Sequence, residues 1–176
     1  MKLRIEKLNT VKSTNDEAIK KIRKKYLKPT IISAEIQTNG KGTMGKKWLS
    51  KKGNIFIFIF FRINEKKINY KQFSILNPYI VKNTLKKNIK QKIKIKLPND
   101  LFIKSKKFCG ILQEVISLKD KKYLIIGIGI NSLTVPLSKN FNATSLVENS
   151  DQVIKNEDII SDIKKAYEKI LSDINK

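Results

Sequence analysis

Histidine is absent from this chain, and cysteine and tryptophan occur once each, as Cys109 and Trp48. Without histidine there is no Ser-His or Cys-His catalysis and no histidine zinc site. A lone cysteine forms no internal disulfide, which suits a reducing cytoplasm. Flanked by Phe108 and Ile111, it reads as a small core residue rather than a nucleophile. Arginine is scarce as well: of 38 basic residues, all but Arg4, Arg23 and Arg62 are lysine. The net charge of +23 invites a nucleic-acid reading. Base-edge readers, however, favour arginine's fork, and strand-binding modules interleave exposed aromatics with arginine. The lysines come instead with abundant isoleucine and asparagine, residues of A+T-rich codons, so composition explains the charge without DNA. What the charge does favour is steering towards acidic protein partners. No apolar run reaches membrane-span length; the longest, Ile55 to Phe61, is strand-sized. The N-terminus alternates polar and apolar residues and lacks the apolar core of a signal peptide.

The 176 residues suit one domain with one core, residues 1–176. Residues 2–9 read as a strand. Ser13-Thr14-Asn15 opens a helix in which Thr14 and Glu17 have capping-box spacing and Ala18, Ile19, Ile22 and Leu27 are apolar. Strands are expected over 31–36 and 55–61, with a turn at Gly53-Asn54. Residues 73–85 have helical spacing, with Pro78 predicting a kink or a broken start. Residues 92–97 alternate with period two, and 101–103, 108–116 and 123–130 continue the sheet. Ser105-Lys106-Lys107 and Lys119-Asp120-Lys121 serve as tight turns, 133–155 as an irregular connection, and 157–174 as a closing amphipathic helix. The expected fold is α/β: a mixed, largely antiparallel sheet covered by helices.

Three clusters carry chemistry. Gln37 to Trp48 contains Gly40, Gly42 and Gly45, with Lys41, Lys46 and Lys47 between and after them. Such a loop can turn backbone N–H groups and positive charge on an anion, with Trp48 as a stacking surface. It matches neither a dinucleotide fingerprint nor a Walker loop. Lys96-Leu97-Pro98-Asn99-Asp100 ends a strand, with Lys96 expected to face inward and neutralise charge as a carboxylate attacks an α-phosphate. Lys107 could reach the same phosphates across the hairpin. In Gly127-Ile128-Gly129-Ile130-Asn131, alternate glycines leave a bare strand face for a flat apolar ligand, or for close helix packing.

These motifs, in this order, resemble the catalytic domain of biotin–protein ligases, which have a class II synthetase-like fold. Further matches are Lys107-Phe108-Cys109-Gly110-Ile111-Leu112 and Asn142-Ala143-Thr144-Ser145-Leu146. The resemblance implies a two-step reaction: biotin and MgATP give biotinyl-AMP, and a lysine of a biotin carboxyl carrier protein then takes the biotinyl group. It implies that Ser13, Thr14, Asn15, Gln37, Gly40, Lys41, Gly42, Thr43 and Lys96 hold biotin, over a floor of Gly127 and Gly129. Lys41, Thr43, Lys46, Trp48, Asn99 and Asn131 would contact the nucleotide. Lys96, Lys107 and Asp100 would act in catalysis, and Mg²⁺ would enter on the ATP phosphates.

The departures are lysines for arginines at 41 and 46, and Leu97 for a tryptophan. Thr43 stands where many members carry another arginine that helps retain the adenylate. Looser retention and labelling of the chain's own lysines are therefore expected, and Thr43→Arg should slow both; unchanged adenylate release would sink the idea. The chain is expected to lack the N-terminal helix-turn-helix and the C-terminal barrel of some members; without the first it is expected to bind no DNA, and without a membrane-length apolar run, no membrane. A free sheet edge could pair with a second copy or with the carrier's own strand. Competing readings are lipoate ligation or octanoyl transfer on the same fold, a basic nucleic-acid module, and a decayed ligase that still binds biotin.

Overall fold

A computed structural model describes residues 1–26, 28–65, 67, 69–136 and 142–174. Leu27, expected on the first helix, lies outside them. The elements follow the order β1 Arg4–Val11, α1 Thr14–Arg23, β2 Thr30–Gln37, β3 Gly40–Lys41, β4 Lys47–Trp48 and β5 Ile55–Ile63. Then come α2 Tyr70–Leu85, β6 Ile93–Lys96, β7 Asp100–Ile103, β8 Lys106–Leu118, β9 Lys121–Ile130 and α3 Asn156–Ile174. Seven strands form one sheet in the order β1-β2-β5-β9-β8-β7-β6, while β3 and β4 form a separate small hairpin. β1 and β2 run parallel around the α1 crossover, and every other neighbouring pair is antiparallel. The mixed, largely antiparallel sheet expected from the sequence is what forms. Among the described residues no helix is long and apolar enough to cross a membrane.

The run Ile55–Phe61 is unbroken because both faces of β5 are covered. Ile55, Ile57, Ile59 and Phe61 join the larger core under α2 and α3, where Phe73, Val81, Ile163 and Tyr167 are buried. Phe58 and Phe60 point the other way, onto Ala18 and Ile22 of α1. α1 covers only part of that second face, leaving room beside it for the β3–β4 hairpin.

Several boundaries differ from expectation. Ser13 caps α1, its hydroxyl accepting from the Asn15 N–H at 3.2 Å. Thr14 is already helical, because its own N–H and hydroxyl are taken by Gln37. α2 starts at Tyr70 behind the Asn69 cap and runs through Pro78 without breaking. The lost hydrogen bond costs about 3 kcal/mol. Burial of Phe73, Ile80, Val81 and Leu85 outweighs it at roughly 1.5–3 kcal/mol each.

The β7–β8 turn is Lys104-Ser105, both with positive φ, as in a two-residue type I′ hairpin. The β8–β9 turn is likewise two residues, Lys119-Asp120. Lys106 and Lys107 are therefore strand residues, paired with Ile103 and Phe102, and not turn residues. The connection after β9 is partly ordered by a short turn at Val147–Asn149.

Candidate active site

A single row of residues crosses the sheet at the level of the site. Reading from one edge, Lys96 pairs with Asp100, Asp100 with Gly110, Gly110 with Gly129, and Gly129 with Phe56. The cross-strand pair Gly110 and Gly129 strips side chains from the middle of that row, on the face that α1 leaves partly open. The Trp48 indole fills the space: a Cβ built on Gly129 would stand 2.5 Å from its ring, and one on Gly110 2.6 Å. Gly127 is bare for a different neighbour, since its Cβ would meet the Phe58 ring at 2.2 Å.

The glycine hairpin sits above this floor. Gly40 is needed because a Cβ there would lie 2.6 Å from the Trp48 carbonyl oxygen. Gly45 is needed because its φ is +72° in the turn at the tip. Gln37 braces the base: its Oε1 accepts from the Thr14 N–H at 2.8 Å and the Thr14 hydroxyl at 2.9 Å. Its Nε2 donates to the Ser50 hydroxyl at 3.0 Å. Lys41 sends its ammonium to Asp16 of α1.

Lys107 reaches the floor through a bulge. Gly110 pairs with Asp100 and Cys109 with Leu101, but Phe102 pairs with Lys107, so Phe108 is an extra residue in β8. Phe108 and Cys109 consequently both enter the α2–α3 core. The phase change turns Lys107, three residues before Gly110, onto the same face as Gly110. There its ammonium pairs with Asp100 at 2.7 Å and lies 5.4 Å from the centre of the Trp48 ring. Its backbone is fastened as well. The Lys107 N–H donates to Asn142 O, and Lys107 O accepts from the Thr144 N–H, each at 2.9 Å. Asn131 donates its side-chain amide to Thr144 O at 3.3 Å, while its buried Oδ1 has no partner.

Two connected clefts result. The narrower is lined by Thr14, Gln37, Lys41, Phe56, Phe58, Asn99, Gly110, Gly127 and Gly129. The wider one has Lys46, Lys47, Asn131, Pro136, Asn142 and Ala143 on its wall. Gly42, Thr43, Trp48 and Lys107 belong to both. The backbone of Gly127 and Gly129 lines the narrower cleft between the Phe58 and Trp48 rings, an apolar setting, while Lys107 brings positive charge to the shared zone.

The expected site residues divide on this geometry. Thr14, Gln37, Lys41, Gly42, Thr43, Lys46, Trp48, Asn99, Lys107, Gly127, Gly129 and Asn131 line one or both clefts. Ser13, Asn15 and Gly40 do not: Ser13 is the helix cap, Asn15 donates its side-chain amide to Glu114, and Gly40 lies under Trp48. Asp100 stands behind Lys107 as its counter-ion. Lys96 corrects the expectation most. It is exposed, with its ammonium 5.8 Å from the Phe102 ring centre rather than turned into a cleft. The alternation of β6 explains this, because Ile93 and Ile95 take the core side and β6 is the edge strand of the sheet. Sequence reasoning also passed over Gly110 as floor, Asp16 and Glu114; the sheet register reveals the first and tertiary packing the others.

The family model described as biotin/lipoate A/B protein ligase matches residues 8–131. The chain belongs to the biotin/lipoate A/B protein ligase family. It is 33% identical over 146 residues to the bifunctional ligase/repressor BirA of Bacillus spizizenii, covering 80% of this chain and 45% of that protein. With BirA of Escherichia coli K12 it shares 33% identity over 100 residues, 56% of this chain and 31% of the relative. The chain thus matches less than half the length of these curated relatives. Its fold superposes on the biotin protein ligase of Aquifex aeolicus in complex with biotin and ATP. There the TM-score is 0.77 at 28% identity, over 96% of this chain and 70% of that one.

Cys109 packs in the core and lines neither cleft. It is fully buried, and burial raises its thiol pKa, which disfavours the thiolate. Among the described residues no three His, Cys, Asp or Glu side chains are grouped to hold an ion. Asp100 is paired with Lys107.

Proposed function

We propose that this chain is an ATP-dependent biotin–protein ligase acting on a biotin carboxyl carrier protein. The observation that carries the reading is the joining of a glycine-floored cleft to a lysine-walled one through Trp48 and Lys107. Similarity to a ligase solved with biotin and ATP supports it. In this assignment the fused rings of biotin enter the narrower cleft, which the backbone of Gly127 and Gly129 lines together with the Phe58 and Trp48 rings, towards Thr14 and Gln37. The valerate carboxylate then points to the shared zone.

One carboxylate oxygen attacks the α-phosphorus of ATP, forming the acyl–phosphate bond as the bond to pyrophosphate breaks. Negative charge grows on the α-phosphoryl oxygens, and Lys107 is placed to offset it. Lys41 and Lys46 flank the same phosphates. Adenine has the Trp48 ring for stacking and the free Oδ1 of Asn131 for its exocyclic amine. In the second step the carrier's neutral lysine amine attacks the acyl carbon, AMP leaves with the bonding pair, and the ammonium proton is lost to solvent. No histidine is needed for either displacement: positioning and charge supply the catalysis. Mg²⁺ is assigned to the ATP phosphates as part of the substrate, since the described residues build no cage for it.

ATP-dependent transfer of labelled biotin to a purified biotin carboxyl carrier domain tests the proposal. Transfer that excess unlabelled biotin removes and excess lipoate leaves intact is the expected result. Transfer of lipoate but not biotin would move the chain to the sister activity within its family, and binding of biotin without transfer would make it a decayed ligase.

A further inference from the structure

The β3–β4 hairpin is anchored on its β4 side by Trp48, whose indole lies over Gly110 and Gly129, and more lightly on its β3 side. It consists of two residue pairs, Gly40 with Trp48 and Lys41 with Lys47, and a ribbon that short has no stability of its own. Its tip is fully in solvent, with Met44 94% exposed. Like charges crowd it from within and below, since Lys46, Lys47 and Lys107 all border the wider cleft. Gln37 braces only the base of the hairpin. Further along, the contact to α1 is the ion pair between the Lys41 ammonium and Asp16 Oδ1, at 2.5 Å.

We propose that Asp16 is a positioning residue for the ligation proposed above: it latches Lys41, and with it the glycine hairpin, across the mouth of the narrower cleft. Asp16 itself lines neither cleft; it acts through Lys41, which does. The placement follows from the sequence. Asp16 is the third residue of α1, whose first turn is already fixed to the hairpin base by Thr14 and Gln37, so its carboxylate faces the strand that leaves that base. The carboxylate also suits the helix N-terminus, a role independent of Lys41. The test must separate the two. The inference rests on the ligase reading for its kinetic consequence but not for its structural one.

The experiment uses the full chain as wild type, Asp16→Asn, Lys41→Gln and the double variant. Trypsin cleavage after Lys46 and Lys47 is followed without any ligand, and the KM for biotin is measured in the transfer assay. For a half-exposed ion pair, Asp16→Asn is expected to speed hairpin cleavage and raise the biotin KM by about three- to fivefold, with kcat within about twofold. Asp16→Glu restores both. In the Lys41→Gln background the Asp16→Asn increment vanishes. An unchanged cleavage rate, or an equal increment with and without Lys41, overturns the latch and leaves Asp16 as a helix-end charge. An equal rise in cleavage within α3 would show general loosening and overturn it too. Should wild type transfer no biotin, the ligase reading fails while the ligand-free proteolysis still decides the latch.

Discussion

Lys107→Met is expected to slow biotin-dependent ATP–pyrophosphate exchange by about 10²–10³-fold, the usual cost of removing one donor aimed at developing charge. The expectation comes from position. The Lys107 ammonium borders both clefts, is held by Asp100 at 2.7 Å, and hangs from a backbone hydrogen-bonded on both sides by the 142–144 segment. A charge fixed in that way needs little reorganisation when the phosphoryl oxygens gain charge. Biotin binding in the absence of ATP should change far less, because the proposal puts the rings in the narrower cleft, away from the phosphates.

Lys96→Ala provides the contrast. Lys96 sits two strands from Gly110, about 10 Å away by ordinary strand spacing, and faces solvent. At that range an exposed charge is largely screened, since the Debye length is about 8 Å at physiological ionic strength. A loss of no more than about tenfold in exchange is expected for Lys96→Ala. Parallel exchange assays on the two variants decide the matter. Near-complete loss with Lys96→Ala beside a mild Lys107→Met would return the main role to Lys96 and refute the geometric assignment.

Why the sequence pointed first at Lys96 is instructive. Alternation over 92–97 correctly placed Lys96 opposite the isoleucines, on the site face of the sheet. What alternation cannot give is lateral distance, because strand order is a long-range property and β6 proves to be the edge. Lys107 was named as a residue able to reach the phosphates, but its place beside Gly110 was hidden for a sharper reason. Strict alternation puts residues three apart on opposite faces, so 107 and 110 should diverge. The extra residue Phe108 reverses that phase, and nothing local in Lys107-Phe108-Cys109 announces a bulge. Gly127 and Gly129 were legible because a two-residue spacing is the strand's own period. Their partner Gly110 was not, because cross-strand register is not written in one strand. The helices were readable from their apolar stripes, while the cap at Ser13 shifted by one residue because Gln37, distant in sequence, claims Thr14.

Gly129→Ala tests the floor, and the lone tryptophan makes the result directly visible. An added methyl would stand 2.5–2.8 Å from three atoms of the Trp48 ring, closer than non-bonded atoms approach. The strand cannot retreat, since Gly129 is laddered to Phe56 on one side and Gly110 on the other. The indole must therefore leave the trough. Because Trp48 is the only tryptophan in the chain, its emission reports that displacement, and a shift to longer wavelength is expected as the ring gains water. Stacking of a base on an aromatic ring contributes about 1–3 kcal/mol, so losing it should raise the KM for ATP by roughly 10- to 100-fold. Gly110→Ala should act in the same direction, its methyl meeting the same ring at 2.6 Å. Gly127→Ala should differ, because its methyl meets Phe58 and leaves Trp48 in place. Its cost should therefore fall on biotin, without the emission shift. If Gly129→Ala moved the emission but left the ATP dependence intact, Trp48 would be a wall of the biotin cleft rather than the platform for adenine.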